Sequence, residues 1–139
     1  MSTRSYIGKQ NKDGSIKYVY CHSDGYINGG VGEMLFKNYK SEKKIDKLLE
    51  LGDLSCLGKT PNSPDTCDYH RYNGEVIYTR EALNIKSFGK KTVDNPGIEY
   101  VYLYQDGQWN VWDYDHKEDI AKNRPQTNLA RECAIYTRR

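Results

Sequence analysis

The sequence predicts one α+β domain, an antiparallel sheet of hairpins packed with a helical hairpin. Three observations carry that expectation. Tyrosine-rich alternating segments flank Asp13-Gly14 and Asp106-Gly107, and glycine takes the positive φ that tight hairpin turns demand. Between them, residues 31–49 switch to apolar residues at helical spacing. No repeat, linker or low-complexity tract divides the 139 residues, enough for a single domain with a real core.

Residues 1–28 read as a hairpin and a turn. Arg4–Gly8 and Ile16–His22 flank Asn11-Lys12-Asp13-Gly14. In the second strand Ile16, Tyr18, Tyr20 and His22 share one face, and Lys17, Val19 and Cys21 the other. So mixed an alternation implies that neither face is freely solvated.

Residues 29–52 read as the helical hairpin. Val31, Met34, Leu35 and Tyr39 recur at helical spacing, and Ser41 caps a second helix with Glu42 in its first turn. Ile45, Leu48 and Leu49 form the second stripe, and Gly52 is the stop.

Gly58–Asp68 is loop-rich, and residues 69–114 carry further strands. Tyr69–Arg80 suggests two short strands around Asn73-Gly74. Ala82–Asn95 has no clear pattern and ends at Asn95-Pro96-Gly97. The clearest hairpin runs Glu99–Tyr104, turns at Gln105-Asp106-Gly107 and returns over Gln108–Tyr114. Residues 115–139 form a C-terminal segment without an assigned element.

Composition narrows function by exclusion. Net charge is only +2, from 21 basic and 19 acidic residues interspersed, too weak a field for a duplex nucleic-acid partner. No apolar run approaches the ~20 residues of a membrane helix, and Met1-Ser2-Thr3-Arg4 opens no signal peptide. Cys21, Cys56, Cys67 and Cys133 lack CxxC spacing, so no metal site is expected and four reduced thiols in a cytoplasmic protein are. His22, His70 and His116 are too scattered in sequence to claim a metal. No cofactor motif is present, because the glycines match neither the Walker nor the dinucleotide pattern.

Candidate ligand contacts concentrate where the second strand meets the first helix. His22 and Asp24 stand two apart, so a continuing strand would point both the same way. A carboxylate beside an imidazole suits general-base work, yet Asp24-Gly25 is equally a plain turn. No residue is assigned a catalytic role. Gly29, Gly30 and Gly32 open a helix whose amides and dipole attract phosphate or carboxylate, although helix-entry glycines also simply make turns.

Tyr26 sits within this corner, and Arg4 and Arg71 are natural phosphate forks. Tyr102 and Trp112 represent the ring-lined hairpin, which could stack a nucleobase, pack in the core, or bury against a second subunit.

The segments Met1–Gly8 (MSTRSYIG), Tyr20–Tyr26 (YCHSDGY) and Leu49–Gly58 (LELGDLSCLG) together resemble a family of small proteins of bacteriophages, prophages and mobile elements. The resemblance spans residues 1–58, and more loosely Tyr69-His70-Arg71 and the Tyr/Trp hairpin. It implies context in a bacterial host cytoplasm and brings no catalytic residues. Ser23 and Ile27 depart from the family, whose members often have a bulky residue and a proline there.

Accessory proteins of this kind often counter host defence. The reading that follows is a non-catalytic binder, expected as a homo-oligomer, that sequesters a nucleotide-like or other anionic small molecule. One alternative is an inhibitor of a host defence or replication protein through an exposed Tyr/Trp face. Another is a small hydrolase or lyase using His22 and Asp24.

Overall fold

A computed structural model describes residues 2–68 and 79–137. Arg71 and the hairpin expected around Asn73-Gly74 lie outside the described residues.

The chain begins with the antiparallel hairpin β1 (Ser5–Gln10) and β2 (Ile16–Cys21), closed by the Asp13-Gly14 turn. Helices α1 (Val31–Asn38) and α2 (Glu42–Glu50) follow, with the short strands β3 (Leu54–Cys56), β4 (Cys67–Asp68) and β5 (Arg80–Ala82). Helix α3 (Ile85–Val93) precedes the second hairpin, β6 (Tyr100–Gln105) and β7 (Gln108–Asp113). A 3₁₀ turn over Tyr114–Asp119, strand β8 (Thr127–Asn128) and helix α4 (Leu129–Thr137) complete the order.

The α+β class holds, but the sheet is mixed rather than antiparallel. Its order is β4-β3-β2-β1-β6-β7-β8, with β5 pairing onto β2. Both hairpins are antiparallel, yet they join through parallel β1 and β6, from Ser5↔Tyr100 to Lys9↔Tyr104. β2 and β3 also meet in parallel at Cys21↔Leu54. A turn signal fixes pairing inside its own hairpin only; how two hairpins meet is decided by burial over long range.

Both faces are covered, as the mixed alternation of β2 implies. On one face Ile7, Val19, Tyr102, Tyr104, Trp109 and Val111 pack with Val31, Leu35, Ile45, Leu48 and Leu129 of the helices α1, α2 and α4. On the other, Tyr6, Ile16, Tyr18, Val101, Leu103 and Trp112 meet Phe88 of α3 together with Ile98 and Ile120. Sheets buried on both sides carry apolar residues at successive positions, and Val101–Tyr104 does so.

The Ser41 hydroxyl accepts from Lys44 N at 3.2 Å, capping α2, and Gly52 ends it at φ 76°. α1 and α2 lie on the same face, but the helix that α1 packs beside is α4. Two helices were illegible as patterns. α3 is capped by the Asn84 side chain on Ser87 N, and carries Gly89 in its middle because Ala121 crosses there. α4 starts from Asn128, whose side chain accepts from Arg131 N at 2.8 Å.

Candidate functional site

The strand-to-helix corner sits at one end of the sheet, beside the start of β1. Gly25 N donates to Thr3 O at 2.8 Å, and the Arg4 carbonyl accepts from Glu99 and Tyr100. The corner is thus stitched by backbone to the start of β1 through Gly25, and to β3 through His22 N and Ser23 N, which donate to Leu54 O and Ser55 O. The fold does bring Arg4 next to Asp24-Gly25. Its guanidinium, however, runs over Gly97 on the β6 side.

The premise of bare amides at the α1 entrance does not hold. Gly30, Val31, Gly32 and Glu33 N–H groups donate to the carbonyls of Ile27, Asp24, Tyr26 and Ile27 respectively, at 2.7–3.4 Å. Gly29 N donates to the Glu33 carboxylate at 3.1 Å, so an acid already occupies the dipole end. A Cβ on Gly30 would stand 2.4 Å from the Asp24 and Tyr26 carbonyls, and one on Gly32 would stand 2.8 Å from Ile27 Cα. These two glycines exist to let the loop fold onto the helix end.

The His22–Asp24 dyad is not assembled either. β2 ends at Cys21 and Asp24 adopts φ 56°, so strand alternation does not carry through. His22 Nδ1 pairs with the Tyr20 hydroxyl at 2.7 Å. The Asp24 carboxylate instead accepts from Tyr26 at 3.1 Å, a bond that raises the Tyr26 phenol above its ordinary value. Imidazole and carboxylate each face a tyrosine.

Tyr102 and Trp112 are wholly buried, so among the described residues these two rings present no exposed face. Tyr102 donates to Gly25 O at 2.6 Å and Trp112 to Arg124 O at 2.7 Å. Their polar ends serve the fold, as buried tyrosine and tryptophan usually require.

Further along the same sheet end lies an open cleft of about 540 Å³ between Pro96, Glu99, Tyr100, Asp113, Tyr114 and Asp115. Three carboxylates line it, which disfavours any anion. Asp113 also accepts from His116 at 2.7 Å and Gln126 at 3.0 Å. Burial pushes Asp113 up, but those bonds outweigh it and leave the carboxyl below its ordinary value. The bond to Asp113 in turn raises His116. Beneath, buried Lys117 donates to the Asn95 and Ile98 carbonyls at 2.8 and 2.9 Å, pinning the loop that enters β6.

The opposite end of the sheet is different. Phe36, Tyr39 and Lys40 from the end of α1, Tyr104, Gly107, Gln108 and Trp109 from the β6–β7 turn, and Leu129 and Ala130 of α4 enclose a cavity of about 250 Å³. Trp109 packs edge-on against Tyr104 with centroids 5.3 Å apart, and its indole N–H donates to Tyr39 O at 2.9 Å. Lys40 Nζ stands 5.1 Å from the Phe36 ring centre and Lys44 Nζ 4.7 Å from that of Tyr39.

Neither lysine has a carboxylate partner among the described residues. The Tyr39 hydroxyl donates to Gly58 O at 2.9 Å, and burial pushes its pKa up to about 12, so this wall stays neutral. Sequence reasoning passed over this pocket because its walls come from three distant segments. The one available signal was Tyr104 and Trp109, two rings closing the same turn.

No protein-family model matches the chain, and no solved structure matches it. Among the described residues, no group of three or more His, Cys, Asp or Glu side chains is placed to hold a metal, and no helix is long and apolar enough to cross a membrane.

Proposed function

We propose that the protein is a non-catalytic binder of a nucleotide-like small molecule, acting as an accessory protein of a phage or mobile element. The observation that carries the reading is the ring-lined cavity with Lys40 in its wall. Small-molecule sites are concave, mostly apolar and furnished with a few polar groups, commonly ~300–1,000 Å³. At about 250 Å³ this one has room for a single planar base and not for a whole dinucleotide. The base enters against Phe36, Tyr104 and Trp109, and the phosphate remains outside, toward Lys40 and Lys44.

Stacking on aromatic rings contributes roughly 1–3 kcal/mol per base, and unpaired ammonium groups add attraction that salt weakens. In the setting the sequence resemblance implies, capture without turnover serves to withdraw a signalling nucleotide from a host defence. Self-association then raises the number of captured molecules per particle.

Thermal shift and calorimetry with nucleoside monophosphates and cyclic nucleotides test the reading. Binding at a Kd well below the ligand concentration raises the melting temperature, since 100-fold excess over Kd stabilises by ~2.7 kcal/mol. No shift with any nucleotide at millimolar concentration contradicts it. Ligand recovered as a hydrolysed product would replace the binder with an enzyme.

A further inference from the structure

We propose that Cys56 and Cys67 form a thiol–disulfide exchange site that low-molecular-weight disulfides oxidise reversibly, independent of the ligand pocket. All four cysteines are free thiols in the structure, but they fall into two kinds. Cys21 and Cys133 are buried, whereas Cys56 and Cys67 are both partly exposed.

Register supplies the first argument. β3 and β4 are antiparallel, with Leu54 opposite Asp68. A regular ladder would then set Ser55 against Cys67. The pairing instead slips by one residue between Leu54 and Cys56, so that Cys56 stands opposite Cys67. An extra residue of this kind re-aims a side chain, and here it aims one thiol at the other. Directly opposed residues of an antiparallel pair have Cα atoms about 4.5–5.5 Å apart, inside the ~4.4–6.8 Å window a disulfide needs.

The surroundings hold that arrangement without a covalent link. Cys56 Sγ donates to Asp65 O at 3.2 Å. Thr66 Oγ1 accepts from Gly58 N and donates to Thr60 O, both at 2.8 Å, which closes the intervening loop on itself. Among the described residues β4 ends the strand order, so joining it to β3 disturbs no described strand beyond.

Oxidation runs in two balanced exchanges. One thiolate attacks a small disulfide R–S–S–R, forming a mixed disulfide and expelling one RS⁻. The second thiolate then attacks the protein sulfur of that mixed disulfide and expels the other RS⁻. The protein loses two protons and two electrons; the small disulfide gains both and leaves as two RSH. Burial raises Cys56 to about 11, so its proton passes to a released RS⁻ before it reacts. In a reducing compartment such a bond is transient.

The test equilibrates the whole protein in glutathione buffers from fully reduced to fully oxidised. Free thiols are trapped by alkylation, and peptides are mapped by mass without reduction. The expected result is a Cys56–Cys67 linked peptide that appears in oxidised buffer and disappears on return to reduced buffer. Cys21 and Cys133 should be alkylated only after unfolding. Cys56→Ser and Cys67→Ser should each abolish the link and leave a glutathione adduct on the remaining thiol. Separate alkylation of Cys56 and Cys67 in every buffer would overturn the proposal, as would bonds only between molecules or stable glutathione adducts on the unaltered protein.

Discussion

The two ends of the sheet differ in the way that matters for ligands. At one end, the corner of His22, Asp24 and the glycines consumes its own donors: helix amides meet loop carbonyls, and Glu33 holds the remaining Gly29 amide. Its neighbouring cleft is lined by Glu99, Asp113 and Asp115. At the other end, an unremarkable turn leaves a ring-walled cavity, with Lys40 and Lys44 supported by rings rather than by carboxylates. A conspicuous local motif can be pure geometry, while a receptor arises where distant segments fail to fill a space.

The largest effect should come from the corner and be one of stability. Gly30→Ala places a methyl 2.4 Å from two backbone carbonyls, and should cost about 3 kcal/mol by urea unfolding. The folded fraction should bind nucleotide as before. A corner that accepts alanine for less than about 1 kcal/mol would have the slack that a receptor needs.

The second effect belongs to the pocket. Ala130→Trp puts an indole into the cavity from the exposed side of α4. It should weaken nucleoside monophosphate binding by tenfold or more, about 1.4 kcal/mol, with stability changed by less. Unaltered affinity in calorimetry would remove the pocket from the account.

A third contrast sets cation against cation. Lys40→Glu should weaken binding several-fold and flatten its salt dependence. Arg4→Ala, at the opposite end, should leave both unchanged; the reverse pattern would restore the corner as the anion site.

Much of this architecture was legible where the signal was local. The Ser41 cap, the Ile45-Leu48-Leu49 stripe and the Asp106-Gly107 turn each act within a few residues. The parallel joining of β1 to β6 was not, because Ile7 and Tyr102 meet through burial across most of the chain. α3 was obscured by Gly89, which serves the crossing at Ala121 rather than the helix.

The corner misled for a related reason. Glycines before a helix look alike whether they expose amides to a ligand or admit carbonyls of their own loop. Only the positions of the Asp24, Tyr26 and Ile27 carbonyls decide between the two. Tyr102 and Trp112 belong to an aromatic hairpin that its turn signal marks as a strand pair, but whose rings at mid-strand are core. The rings able to meet a ligand stand beside the turn.

The smallest expected effect lies in the acidic cleft. Asp113 is held below its usual 3.8 and His116 above its usual 6.5. Their pair therefore stabilises fully between about pH 4 and 6.5, fading as pH falls through the lowered Asp113 value or rises through the raised His116 value. His116 is exposed, so the gain is slight. His116→Gln should flatten the difference in urea midpoint between pH 5.5 and 8.5; an unchanged pH profile would mean that the pair contributes nothing.

The two tryptophans offer the most direct test, because their indoles report on different surroundings. Trp109 borders the cavity and Trp112 lies in the core of the opposite face. In a ¹⁵N-labelled sample titrated with adenosine monophosphate, the Trp109 indole and the amides of Phe36, Lys40, Gly107 and Ala130 should shift together, saturating with one Kd. The Trp112 indole and the amides of Gly29–Glu33 should stay in place. Shifts at Gly29–Glu33 with a motionless Trp109 indole would return the ligand to the corner and contradict the account.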